Sequence, residues 1–182
     1  MLIKLTNVSV KFHNKNYNIV VNEHGLMLVS GCNGSGKTTF IKLILGNISN
    51  YRGQITRNIK EIAYLPEVAY ILRDVMVIDL ILIFTKIKKC SFPIDLISDF
   101  NLPLFKTTNH LSKGNRQKLL LIISFMGNER LIILDEPFSG LDQNTADVLI
   151  KHLKNEKLKR SIIISSHNTA QIKNNADYIY EL

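Results

Sequence analysis

Residues 26–46 constrain this chain more than any other stretch. Gly31-Cys32-Asn33-Gly34-Ser35-Gly36-Lys37-Thr38 fits G-x-x-x-x-G-K-[ST], the spacing of a phosphate-binding loop. Glycines at those places let the backbone curl with positive φ, so that successive N–H groups converge on one anion. Lys37 can then reach the outer phosphates of a nucleotide, and the Thr38 hydroxyl can ligate Mg²⁺. The expected phosphate-binding stretch runs on to Thr39. The flanks agree with this reading. Leu26-Met27-Leu28-Val29-Ser30 reads as a buried strand. After the loop, Phe40, Ile41, Ile44 and Leu45 recur at helical spacing, and Gly46 can end that helix. Strand, loop and helix in this order aim the helix dipole at the bound phosphates.

A second signal lies in Arg130-Leu131-Ile132-Ile133-Leu134-Asp135-Glu136-Pro137. An apolar strand delivers two adjacent carboxylates at its C-terminal end, where α/β sheets bind ligands. Asp135 suits Mg²⁺ coordination beside a phosphate-loop Thr, and Glu136 suits orienting or deprotonating a water. A bare pair of acids at an exposed strand end is the plainer alternative, and the loop upstream weighs against it. Ser161 to Ser165 reads as another buried strand, followed by Ser166-His167. A lone His after a strand is usually structural. His167, however, leaves a strand parallel to the Asp135 strand and can reach the same γ-phosphate.

The remaining segments fill in an α/β domain. Leu2 to Lys11 alternates apolar and polar residues, as an antiparallel strand does. Tyr17 to Val21 is a second strand candidate, and Asn22-Glu23-His24-Gly25 a turn. Phe12 could stack on an adenine face or pack in the core. Arg52-Gly53-Gln54-Ile55 reads as a turn opening a short strand. Ile62 to Leu65 reads as a strand stopped by Pro66, and Glu67 follows. From Ala69 to about Phe105 the pattern turns helical, with Pro93 and Pro103 as punctuation. Ser112 is placed to cap a helix whose apolar run, Leu119 to Met126, should be buried. Ser139-Gly140-Leu141-Asp142 reads as a turn, with Asp142 capping a helix to about Leu153. The chain has 182 residues, 46% of them hydrophobic and 21% charged, enough for a real core. Cys32 and Cys90 form no disulfide framework and point to a reducing cytosol. The formal net charge of +8 could suit nucleic acid or an anionic membrane leaflet. The basic residues are spread along solvated faces, so no nucleic-acid partner is expected. There is no signal-peptide pattern and no apolar run of the ~20 residues a membrane span needs.

Taken together, these motifs make the chain similar to the ATP-binding cassette (ABC) ATPases. Gly31 to Thr38, Glu67, Leu111 to Asn115, Leu131 to Glu136 and His167 occur in the family's order, and Ser139 to Asp142 resembles its D-loop. The resemblance implies an α/β P-loop NTPase fold in one domain, 1–182. Residues 1–66 and 111–182 would form a mostly parallel core with a small antiparallel subdomain, and about 67–110 a helical insert. It implies ATP and Mg²⁺ as ligands, with Thr38, Glu67 and Asp135 at the metal and Lys37, Glu136 and His167 as catalytic groups. It also implies a head-to-tail dimer of two copies. ATP would lie between the P-loop of one copy and Ser112 and Gly114 of the other, with Phe12 at the adenine-stacking position.

The signature segment, LSGGQ in the family, reads Leu111-Ser112-Lys113-Gly114-Asn115 here, and Glu67 stands where Gln is usual. These departures mark either a weakly active site, with a regulatory rather than transporting role, or a subfamily. Tyr64 to Glu67 with Ser112 to Leu119 resembles the branch that powers small exporters of drugs, antibiotics and peptides. The expectation is a cytoplasmic subunit, peripheral on the inner face of the cell membrane, serving a separate polytopic membrane subunit. No C-terminal regulatory domain is expected. A soluble ABC protein of DNA repair or translation fits less well, for want of a long coiled coil or a second cassette. Tyr70 and Met76 are the candidates for an exposed apolar patch that would dock the membrane subunit.

Overall fold

The computed structural model describes residues 1–11, 13–167 and 169–182. Its strands fall into two sheets. β1 (Ile3–Val10), β2 (His13–Val21) and β4 (Arg52–Arg57) pair antiparallel in the order β2-β1-β4. β3 (Gly25–Ser30), β5 (Ile62–Leu65), β6 (Leu131–Asp135), β7 (Ser161–Ser166) and β8 (Tyr178–Glu181) form the second sheet, in the order β5-β6-β7-β3-β8. Every pairing in it is parallel. The helices are α1 (Lys37–Leu45), α2 (Val77–Lys88), α3 (Ile94–Asp99), α4 (Lys113–Phe125) and α5 (Gln143–Glu156). Among the described residues no helix is long and apolar enough to cross a membrane.

The apolar strands read as continuous runs because the parallel sheet is covered on both faces. Along β3, β6 and β7, alternate residues enter different cores. Leu26, Leu28, Ile132, Leu134, Ile162 and Ile164 pack with residues of α2, α4 and α5, among them Ile81, Ile122 and Leu149. Met27, Val29, Leu131, Ile133 and Ile163 pack with Phe40, Ile41 and Ile44 of α1 and with Leu5, Val8 and Tyr17 of the antiparallel sheet. Burial of such a side chain contributes about 1.5–3 kcal/mol.

Local signals hold at several helix ends. Gly46 ends α1 in the left-handed conformation, and Ser112 and Asp142 cap α4 and α5 through their side-chain oxygens. Elsewhere the chain departs from its local pattern. The helical reading from Ala69 to Phe105 holds only from Val77 onward, because residues 72–76 bond to a distant segment. Thr108 Oγ1 donates to Leu72 O at 2.7 Å, Thr108 N–H to Val75 O at 2.9 Å and Val77 N–H to Lys106 O at 3.0 Å. These bonds replace i→i−4 bonds. Met76, expected in the exposed set, is only partly exposed at the start of α2. Gly53 lies inside β4, not in a turn. It faces an irregularity in β1 where Asn7 has φ 49°, and a Cβ on Gly53 would meet Asn7 O at 2.2 Å. Such a close backbone approach is a recognised use of strand glycine.

β8 has no counterpart in the sequence reading, being short and half exposed. Its lead-in residue fastens it: Asp177 Oδ2 accepts from Leu26 N–H at 2.8 Å, and Oδ1 accepts from Lys157 Nζ at 2.7 Å. Burial raises this carboxyl, but the Lys157 and Leu26 bonds outweigh it and hold it below its ordinary value of 3.8. Asp177→Ala leaves the buried Leu26 N–H without an acceptor and should cost about 1–3 kcal/mol. With a depressed native pKa, the carboxylate's contribution is complete above 3.8 and is lost as pH falls through the native value. Urea unfolding should therefore show the gap between wild type and variant narrowing in acid.

Candidate functional site

Because the whole sheet is parallel, β3, β5, β6 and β7 all end on the same side. There the chain encloses an open cavity of about 440 Å³, within the range of small-molecule sites. Asn33, Gly34, Gly36, Lys37, Thr38 and Thr39 line one wall, and Glu67, Asp135 and Glu136 the other. The sequence places these residues as far apart as 103 positions, from 33 to 136.

The loop wall is built from backbone. Gly36 caps α1 in the left-handed conformation, φ 104°, with no side-chain cap, so the first N–H groups of α1 remain available to an anion. Lys37 is 8% exposed, and its Nζ donates to Gly31 O at 2.7 Å and Cys32 O at 3.2 Å, which closes the loop. A Cβ on Gly31 would come within 2.4 Å of Ser35 Oγ, so only glycine fits there. Ser35 Oγ is buried without a hydrogen-bond partner among the described residues, a cost that a bound oxyanion would remove. Behind the loop, buried Tyr17 donates its hydroxyl to Gly36 O at 3.3 Å and stacks on Phe40; burial pushes its phenol up to about 12.

The opposite wall carries the charge. Asp135 is buried and accepts a hydrogen bond from Ser165 Oγ at Oδ1. Burial holds its carboxyl above the ordinary range, and Glu67 and Glu136 add to this against the Ser165 bond and Lys37. Glu136 adopts φ 50°, a conformation that costs a non-glycine residue about 1–3 kcal/mol and collects at functional sites. Its N–H donates to Ser165 O at 3.0 Å, its Oε2 accepts from Ser166 Oγ at 3.3 Å, and its Oε1 accepts from His167 N–H at 2.8 Å. His167 Nδ1 lies 2.8 Å from the same Oε1, and the ring is 58% exposed. The histidine is therefore anchored on the glutamate, although it is not itself among the residues that line the cavity.

Ser112 and Gly114 do not line this cavity. Ser112 Oγ accepts from Asn115 N–H at 3.2 Å at the start of α4. Gly114 packs on Gly140, where a Cβ would meet Gly140 O at 3.2 Å, and the Lys113 side chain lies over the same glycine. Phe12 lies outside the described residues. Sequence reasoning missed Tyr17, Ser165 and Ser166. The aliphatic runs at 131–134 and 162–164 are equivalent stretches of neighbouring strands. Aligning them sets Asp135 opposite Ser165.

Residues 14–139 match the family model described as "ABC transporter". The chain belongs to the ABC transporter ATPase family. It is 34% identical over 194 residues to an uncharacterized ABC transporter ATP-binding protein of Methanocaldococcus jannaschii, covering 97% of this chain and 72% of that relative. It is 31% identical to the zinc import ATP-binding protein ZnuC of Rickettsia prowazekii, over 98% of this chain and 81% of the relative. A solved ATP-binding subunit of an ABC transporter superposes with a TM-score of 0.86 at 26% identity, over 100% of this chain and 86% of that one. The chain is an ABC ATPase, with the P-loop NTPase fold of a parallel core beside a small antiparallel sheet and helices.

The donor set fits the ligands this family implies. The orphaned Ser35 hydroxyl and free α1 amides suit phosphate oxygens. A hydroxyl and two carboxylates, Thr38, Asp135 and Glu67, are hard oxygen donors, and Mg²⁺ takes one or two carboxylates alongside nucleotide phosphates. Burial disfavours the charged form of Asp135 in the folded chain. Asp135→Asn should therefore raise the melting temperature of the nucleotide-free protein at pH 7. It should also erase any gain in ATP affinity that Mg²⁺ gives the wild type, as read by calorimetric titration.

Proposed function

We propose that this ABC ATPase drives transport through a separate polytopic membrane subunit. In this reading two copies sandwich ATP head to tail and couple its binding and hydrolysis to movement of the cargo. The observation that carries it is the Glu136–His167 pair, bonded at 2.8 Å, with Glu136 lining the cavity that also holds Lys37 and Asp135. Lys37 and the loop amides bind the β- and γ-phosphates. Thr38, Asp135 and Glu67 hold Mg²⁺, which neutralises phosphate charge when bound. Glu136 accepts a proton from, or orients, the attacking water, and His167 bridges Glu136 to the γ-phosphate. Ser112 and Gly114, outside the cavity of their own chain, contact the γ-phosphate held by the partner.

The insert at about residues 67–110 docks the membrane subunit and keeps the chain on the inner face of the cell membrane. Val68, Tyr70 and Leu72 are 71%, 96% and 61% exposed, more apolar surface than a loop beside a catalytic site needs. The proposed direction is export, on the pattern Tyr64-Leu65-Pro66-Glu67 with Ser112-Lys113-Gly114. Import is the second reading, favoured by the zinc import relative. Uptake or efflux in paired inside-out and right-side-out vesicles separates the two.

Glu136→Gln should retain ATP affinity and lose turnover by about 10²-fold or more, with an ATP-dependent dimer persisting on size exclusion; hydrolysis near the wild-type rate would remove Glu136 from its role. Lys37→Ala should weaken ATP binding at least ~10-fold. The double variant Tyr70→Asp, Leu72→Asp should stay folded and bind ATP yet fail to co-purify with the membrane subunit. Retained assembly would move the docking surface elsewhere.

A further inference from the structure

β7 is aliphatic from Ile162 to Ile164 and then ends in two serines. Both are buried, Ser165 at 0% and Ser166 at 2% exposure, and a buried hydroxyl must find a partner. Each finds a carboxylate at the end of β6: Ser165 Oγ donates to Asp135 Oδ1, and Ser166 Oγ donates to Glu136 Oε2 at 3.3 Å. The parallel register sets Asp135 opposite Ser165. Ser165 follows Ile163 on the face toward α1, and Ser166 follows Ile164 on the other face. One serine therefore cannot hold both acids.

We infer that Ser165 and Ser166 are two separate positioning residues, Ser165 aiming Asp135 at the metal and Ser166 aiming Glu136 at the water. The inference rests on the proposed reading of the cavity as a Mg²⁺–ATP site. Outer partners of this kind fix a ligating carboxylate's rotamer, and their loss typically weakens metal binding about 10–100-fold. Ser166 works together with the His167 N–H on the other Glu136 oxygen, so the strained glutamate is gripped at both oxygens. Simple core filling would not separate the two acids, nor metal-bound from metal-free nucleotide.

The test measures ATP binding to the full chain in excess EDTA and with Mn²⁺ as the probe metal, the Mn²⁺ followed by electron paramagnetic resonance, alongside steady-state kinetics. Ser165→Ala should leave ATP affinity in EDTA unchanged and weaken Mn²⁺ binding in the presence of ATP about 10-fold. Ser165→Cys keeps the volume but donates weakly and should show the same loss, so a poorly folded alanine variant does not end the experiment. Ser165→Thr keeps the hydroxyl and should restore Mn²⁺ affinity. Ser166→Ala should leave the Mn²⁺ titration unchanged and lower kcat about 10-fold at constant KM. Mn²⁺ affinity within twofold of wild type in both Ser165→Ala and Ser165→Cys overturns the inference. So does an equal loss in EDTA, or an exchange of effects between the two serines. If the wild type itself gains no ATP affinity from Mn²⁺, the reading of the cavity falls first and the serine roles fall with it.

Discussion

The parallel pairing of β6 with β7 is the constraint on which the site depends. Both strands are fully buried along their length, so water cannot reach the acids from behind. Every polar group at their ends must be met by the neighbouring strand. Register supplies this: Asp135 stands opposite Ser165, and the next residues bring Ser166 and the His167 N–H to Glu136. β3 lies on the other side of β7 and carries the phosphate loop to the same edge. A slip of one residue would move Asp135 away from Ser165 and scatter the acids from their partners.

This arrangement stores unfavourable terms where chemistry is expected. Burial disfavours the charged form of Asp135, Glu136 is held at positive φ, and Ser35 has a buried hydroxyl with no partner among the described residues. The two cores on either face of the sheet offset these terms. The buried Asp135 carboxyl and the unpartnered Ser35 hydroxyl are of a kind that a bound cation or polyphosphate would relieve, which links the cost in the free protein to selectivity for ligand.

Much of the fold and site was legible because the decisive signals are local. The phosphate loop needs glycine at fixed spacing, and the aliphatic strands read directly from their runs. Capping by Ser112 and Asp142 follows from side-chain chemistry within three residues. What escaped depends on partners distant in sequence. Residues 72–76 look helical until Thr108 takes their hydrogen bonds. Gly53 looks like a turn residue until Asn7 is set against it. β8 depends on an aspartate meeting Leu26, 151 positions away. The supporting serines are invisible from composition, because a hydroxyl after an apolar strand acquires meaning only when the neighbouring strand's register is known.

The lysine of the signature segment fits the glycine it lies on. Lys113 stands where the family has glycine, and its aliphatic stem lies over Gly140, whose φ of 77° and missing Cβ make the room. A Cβ at residue 140 would meet Lys113 Cε at 3.1 Å, tighter than ordinary van der Waals contact. Gly114 approaches the same glycine, and Gln117 Nε2 donates to Pro137 O at 3.0 Å. The start of α4 is thus packed and bonded onto the turn that follows Glu136. A degenerate segment would be expected to loosen there. This one is matched side chain to glycine, and movement at α4 would be felt one turn away from Glu136.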